Sequence, residues 1–210
     1  TAYPSAYEAY MPYGANDVDA IVNANVLSTL ATLKLESKGT YGATQFIAQK
    51  VQREKWSRAG VYYPNRYQLH YAVIKAWKAG ASGLSKCIDP IIEHLKSTQL
   101  LDGSFESRKI VNQRDKIQST AYALHAMLKL GNPRKTGLEI QINKALGYLL
   151  FQAQKKEDKL FWEGGVYFSG GTVIRKTLYW KSDALTTSII LESLCLLKNY
   201  GLEKETKAER

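Results

Sequence analysis

The chain has 210 residues, 45% of them hydrophobic, and a net charge of +10. That length supports one well-cored domain, and an apolar content this ordinary excludes a disordered chain. Two cysteines far apart, Cys87 and Cys195, exclude a disulfide framework and a paired-cysteine metal site; the expectation is buried free thiols, no metal and no other cofactor.

Residues 1–15 hold Tyr3, Tyr7, Tyr10 and Tyr13 with Pro4, Pro12 and Gly14. This is an extended lead-in without helical pattern, too aromatic for a plain linker. A single helical domain is expected over residues 16–200, followed by a charged tail at 201–210.

The first helix is expected from Asp17 to Leu35. Asn16 or Asp17 is a suitable N-cap, because a short side-chain oxygen accepts from the free N–H groups of a first turn. Val18, Ile21, Val22, Val26, Leu27, Leu30 and Leu33 make this helix apolar on more than one side, as a buried helix is. It nevertheless carries Asp19 and Asn23 on one face and Asn25 on another. Buried carboxylates and amides need partners, so these residues face either structural partners or a polar cavity.

Apolar residues recur at three- and four-residue spacing over 41–56, 67–79, 84–99, 116–130, 138–154 and 183–200, which predicts six more helices. Gly80, Gly131 and Gly201 stand where a C-terminal glycine belongs. Between the last two helices, Gly165 to Phe168 and Val173 to Tyr179 read as a small hairpin across Ser169, Gly170 and Gly171. The helices alternate in kind. Those at 17–35, 67–79, 118–130 and 183–197 are rich in small and apolar residues. The others end in a glutamine followed by a glycine–aromatic loop: Gln99-Leu100-Leu101-Asp102-Gly103-Ser104-Phe105, then Gln154 with Trp162-Glu163-Gly164-Gly165, and more loosely Gln49 with Gly60-Val61-Tyr62. One signature at unequal intervals means helix-pair repeats with loop insertions on one side.

The Lys and Arg residues are spread through Lys50 to Arg58, Lys155 and Lys156, Arg175 to Lys181 and the tail. Scattered cations read as solvated helix faces, not as a nucleic-acid groove, with attraction to an anionic membrane surface as the alternative. A cytoplasmic or membrane-peripheral location is favoured.

The Gln-x-x-Asp-Gly-Ser-aromatic loop resembles the repeat of the squalene–hopene cyclases, oxidosqualene cyclases and their relatives, with Phe105 in place of the usual Trp. The resemblance covers about residues 16 to 200. It implies an all-α fold, an α/α toroid or half of one built from about seven helices as helix hairpins. It also implies that Gln99, Gly103 and Phe105, then Gln154, Gly164 and Gly165, and more weakly Gln49 and Gly60, staple outer helices together. Asp17-Val18-Asp19-Ala20-Ile21-Val22 is similar to the Asp-x-Asp-Asp-Thr-Ala of class II terpenoid cyclases, with Asp17 at the first Asp, Asp19 at the proton-donating middle one, and Ala20 and Ile21 in place of the last Asp and the Thr. Seven helices make half of such a ring. A longer chain, a short open ring, or a second domain or chain that completes the wall would each fit.

The leading reading is therefore a terpenoid-cyclase-like domain acting on or binding an isoprenoid or other hydrophobic substrate, with Asp19 and Asp17 as the acid. Asn23, Tyr67, His70, Tyr71, Tyr122, His125 and Trp162 would contact substrate, the aromatic faces by cation–π attraction. Asp19 has an equal structural reading as a brace of its helix N-terminus, Asn23 one as an inter-helix staple, and each ring one as core packing. Two further functions stay open. One is a non-catalytic toroid that binds a ligand or protein on its concave face. The other is a glycan-acting enzyme using Glu163 and Asp183 as a carboxylate pair.

Overall fold

The computed structural model describes residues 18–56, 59–107, 115–170 and 178–208, the last eight by backbone alone. The lead-in and Asp17 therefore lie outside the described residues. The chain is mostly helical: α1 (Ala20–Thr32), α2 (Gly39–Gln52), α3 (Arg66–Lys78), a 3-10 helix (Ser82–Cys87), α4 (Ile88–Thr98), α5 (Lys116–Leu130), the single turn α6 (Pro133–Thr136), α7 (Glu139–Phe151) and α8 (Asp183–Ala208). Between α7 and α8 lie two antiparallel hairpins, β1 (Gln154–Lys156) with β2 (Lys159–Phe161) and β3 (Val166–Gly170) with β4 (Leu178–Lys181).

The two kinds of helix occupy two layers. In the first, α1, α3, α5 and α8 lie side by side in that order. They run in one direction: Ile21 at the start of α1 meets Gly60 just before α3, and Ala31 at its end meets Gly80 just after α3. Farther along, Tyr71 of α3 meets Tyr122 and His125 of α5, and His125 meets Glu192 of α8. The second layer holds α2, α4 and α7, packed behind. Burial follows the layers. Twelve of the fifteen residues of α5 are buried, against three of the thirteen of α7. This is the physical content of the alternation in composition, since a helix covered on most sides must be apolar or small on most sides. The core runs along the seam, through Leu27, Ile47, Leu69, Ile74, Leu95, Leu124 and Leu149.

The hairpin expected at 165–179 corresponds to β3 and β4, although Val173 to Thr177 lie outside the described residues. The earlier hairpin at 154–161 has no signal in the sequence, because all its residues except Phe161 are exposed and no buried face imposes alternation. Several helix ends differ from expectation: α1 stops at Thr32 and α2 at Gln52, short of Leu35 and Trp56, and the helix expected over 84–99 opens as the 3-10 helix, with α4 from Ile88. The helix expected over 138–154 stops at Phe151, and α8 continues through Gly201 to Ala208. Leu202 to Ala208 are mostly good helix formers, which together outweigh the roughly 1 kcal/mol that one interior glycine costs.

Because the first-layer helices are parallel, their N-termini meet at one end, and each begins on a short polar residue: Asp19, Asn65, Asp115, and Ser182 beside Asp183. That end carries the candidate chemistry.

Candidate functional site

Asp19 is the N-cap of α1 and is 2% exposed. Its Oδ1 accepts from the N–H groups of Ile21 (2.7 Å) and Val22 (3.0 Å). Its Oδ2 accepts from those of Val61 (2.6 Å) and Tyr62 (3.1 Å), in the loop that leads to α3. Four backbone donors occupy both oxygens, and no lone pair is left to carry a proton toward a substrate. The geometry corrects the acid reading of Asp19 to the brace: the carboxylate fastens the start of α1 to the loop before α3. Asn23 is fully buried and its Nδ2 donates to the Asp19 carbonyl at 2.8 Å, which makes it part of the same brace.

The aromatic residues expected at the substrate divide into three places. Tyr67 and His70 point toward the second layer. His70 Nδ1 lies 3.1 Å from the Arg66 carbonyl and its Nε2 3.0 Å from His94 Nδ1 on α4, with Trp56 stacked on the His70 imidazole and tilted against that of His94, and Phe105 against Tyr67. If His70 Nδ1–H donates to the carbonyl, then His70 Nε2 accepts and His94 Nδ1–H donates, so the His70 ring is neutral. Burial holds His70 well below the ordinary histidine range and His94 at about 4. This is a core cluster joining the layers. Trp162 is also core: it is 2% exposed, its Nε1 donates to the Leu149 carbonyl at 2.6 Å and its N–H to Thr187. It pins the end of α7 to α8 and has no face for a substrate. Tyr71, Tyr122 and His125 do converge, with ring centroids 5.4 and 4.7 Å apart, and His125 Nε2 lies 3.0 Å from Glu192. Three of the expected contacts thus pack together, but Tyr122 and His125 are each 1% exposed and belong to the core between α3, α5 and α8.

The stapling roles hold unevenly. Gln99 Nε2 donates to the carbonyls of Gly103 (3.0 Å) and Gln141 (2.8 Å), joining the end of α4 to the start of α7, and Phe105 is fully buried. Gln154 is exposed in β1, and Gln49 is exposed on α2; neither occupies the corresponding place. Asp183 Oδ1 accepts from the Gly164 N–H at 2.7 Å, so this carboxylate braces α8 and is not the partner of Glu163.

The carboxylate that does share a cleft with Glu163 is Asp115. A cleft of about 340 Å3 opens at the start of α5, lined by Asp115, Lys116, Ile117, Tyr148, Glu163, Gly164 and Gly165. Asp115 is 8% exposed. Asn65 Nδ2 donates to its Oδ2 at 3.2 Å and to Ser119 Oγ at 2.9 Å, while Asn65 Oδ1 caps α3 through the Tyr67 N–H. Ser119 in turn donates to the Asp115 carbonyl. On the other side the Gly165 backbone lies against the carboxylate, so closely that a Cβ there would sit 2.1 Å from Oδ1. Burial pushes the Asp115 carboxyl up to about 6, only partly offset by the Asn65 hydrogen bond and the Lys181 charge. Glu163, by contrast, is exposed. Lys116 is drawn to Asp102 at 3.1 Å. Tyr148, half-buried, offers its ring on the cleft wall. One shielded carboxyl that gives up its proton near pH 6, one solvated carboxylate and one aromatic wall is a set able to do acid–base chemistry.

Sequence reasoning missed Asp115. A local signal existed, since it directly precedes the helix expected from Lys116, as Asp19 precedes α1. Its burial comes from Asn65 and Gly165, each fifty residues away in the chain. No family model matches this chain, and no curated protein or solved structure resembles it at a significant level.

Proposed function

We propose that this domain acts by acid–base chemistry on a hydroxyl-rich, glycan-type substrate in the Asp115–Glu163 cleft, on a helix-pair scaffold built as part of an α/α toroid. The observation that carries the reading is Asp115 itself: a carboxyl 8% exposed, raised to about 6, on the wall of an open cleft with a second carboxylate. Such a group is protonated for a useful fraction of the time near neutral pH and gives its proton to a leaving oxygen. In the reaction the Asp115 proton passes to the glycosidic oxygen as the C–O bond breaks. Water adds its hydroxyl to the sugar carbon, and its proton goes to Glu163. Tyr148 supplies a flat apolar face for the sugar ring.

The terpenoid-cyclase reading is less well supported. Its acid would have to protonate an alkene, which demands a strong donor, whereas burial makes Asp115 a weak one and the bonding of Asp19 leaves it no free oxygen.

A panel of aryl glycosides and oligosaccharides assayed from pH 4 to 8 tests the proposal. Turnover that peaks near pH 5–6 and falls at least 100-fold in both Asp115→Asn and Glu163→Gln supports it. Saturable oligosaccharide binding without turnover would replace the enzyme by a binding domain. Neither binding nor turnover across the panel would sink both.

A further inference from the structure

At the opposite end of the molecule from Asp115 a larger groove, of about 710 Å3, runs between the last turns of α1, the start of α2 and the 3-10 helix. Its floor is apolar: Leu27 is 1% exposed at the bottom, with Leu30 and Ala31 along the wall and Leu35, 56% exposed, at the mouth. Its rim is cationic. Lys38, at the N-cap of α2, provides no side-chain cap, and Lys86 reaches across from the 3-10 helix with its Nζ donating to Gln45 at 2.9 Å. The first N–H groups of α2 are taken by Ser37, whose Oγ and carbonyl accept from Gly39 and Thr40, so the positive charge at this end comes from the two lysines. Among the described lining residues Glu36 is the one acidic side chain, so two lysines oppose a single carboxylate.

An apolar trough closed by positive charge at one end fits a molecule that is apolar along its length and anionic at its head. We propose that this groove binds a single-chain amphiphile with a carboxylate head, that is, a free long-chain fatty acid. The chain lies along Leu27, Leu30 and Ala31, and the carboxylate meets Lys38 and Lys86. The volume is within the range of pockets that hold small molecules. This site is independent of the glycan reading, since no residue lines both clefts.

Titration calorimetry on the full chain, with tetradecanoate kept below its aggregation concentration, tests this. The expected result is saturable one-to-one binding, at least tenfold weaker for tetradecanol, and absent for tetradecyltrimethylammonium. Ala31→Phe, which narrows the groove from its wall at a half-exposed position, lowers affinity at least tenfold with an unchanged melting temperature. The pair Lys38→Glu and Lys86→Glu removes the preference for carboxylate over alcohol while leaving the alcohol's affinity alone. Three results overturn the proposal: no saturable binding, equal affinity in Ala31→Phe, or binding to anionic vesicles without binding to the free acid. Binding that emerges only once residues 1–15 are deleted would also overturn it, by making the chain's own lead-in the occupant.

Discussion

Asp19 and Asp115 occupy the same station, the residue before a first-layer helix, and differ in everything that matters for chemistry. Asp19 meets four backbone donors; Asp115 is reached by the Asn65 amide at 3.2 Å and by the Gln118 N–H, which do not offset its burial. The first is a brace and the second carries a burial penalty that only a proton relieves. Asparagine at the two positions should therefore act in opposite directions. Asp19→Asn turns one acceptor into a donor that faces the Val61 and Tyr62 N–H groups, and is expected to lose about 3 kcal/mol of stability. Asp115→Asn removes a charge that is shielded above pH 6, and is expected to gain roughly 2–3 kcal/mol at pH 7 from a rise of about two pKa units while abolishing activity. Denaturant unfolding of both variants at pH 7 checks the pair. Equal destabilisation would mean that Asp115 is a brace as well.

Among the elements, the loops that close each helix pair are held by one side chain reaching two backbone carbonyls or by one indole. Gln99 is the clearest. Gln99→Leu keeps the size and removes both bonds, and should cost about 2 kcal/mol; Gln154→Leu, in the exposed strand β1, should stay within about 0.5 kcal/mol of the parent. Urea midpoints of the two variants separate the roles, and a large loss at Gln154 would contradict the assignment. The contrast shows where the sequence was readable. Helix periods were strong enough to locate the seven long helices, and α5 falls on the expected Lys116–Leu130, because a helix buried all round repeats its apolar pattern without interruption. Gln99 was legible because its whole motif is local, from helix end to Phe105. Gln154 misled because its spacing to Trp162 mimics that motif although a hairpin intervenes. The carboxylate pair was half legible: Glu163 stood out in an aromatic and glycine-rich loop, but its partner was sought at Asp183, whose Oδ1 instead takes the Gly164 N–H. Gly165 was assigned to a staple. Its actual role, letting the backbone approach Asp115, depends on a contact no local pattern encodes.

Across the molecule, four shielded groups among the described residues respond to acid between pH 6.5 and 4, and they act oppositely. His70, His94 and His125 are all lowered by burial, His94 to about 4. A lowered histidine supports the fold above its ordinary pKa of 6.5 and loses that support as pH falls toward the folded value. Asp115 is raised from 3.8 to about 6, so its destabilising effect is present above pH 6 and fades on the way down to pH 4. Three groups against one predict a net loss of stability between pH 6.5 and 4. The stability advantage of Asp115→Asn over the parent should shrink to nothing across the same window. Chemical denaturation at half-unit steps tests both statements, and a constant difference between the two proteins would show that Asp115 titrates alike in the folded and unfolded states. The parallel first-layer helices thus gather their N-terminal polar residues at one end, three of them used as fasteners and one left to titrate. The most direct test of that last assignment is a carbon-13 NMR titration of the Asp115 carboxyl in the full chain, with and without an oligosaccharide. An apparent pKa near 6 that moves when the sugar is added is the predicted result; titration near 4, unmoved by any sugar, would contradict the account.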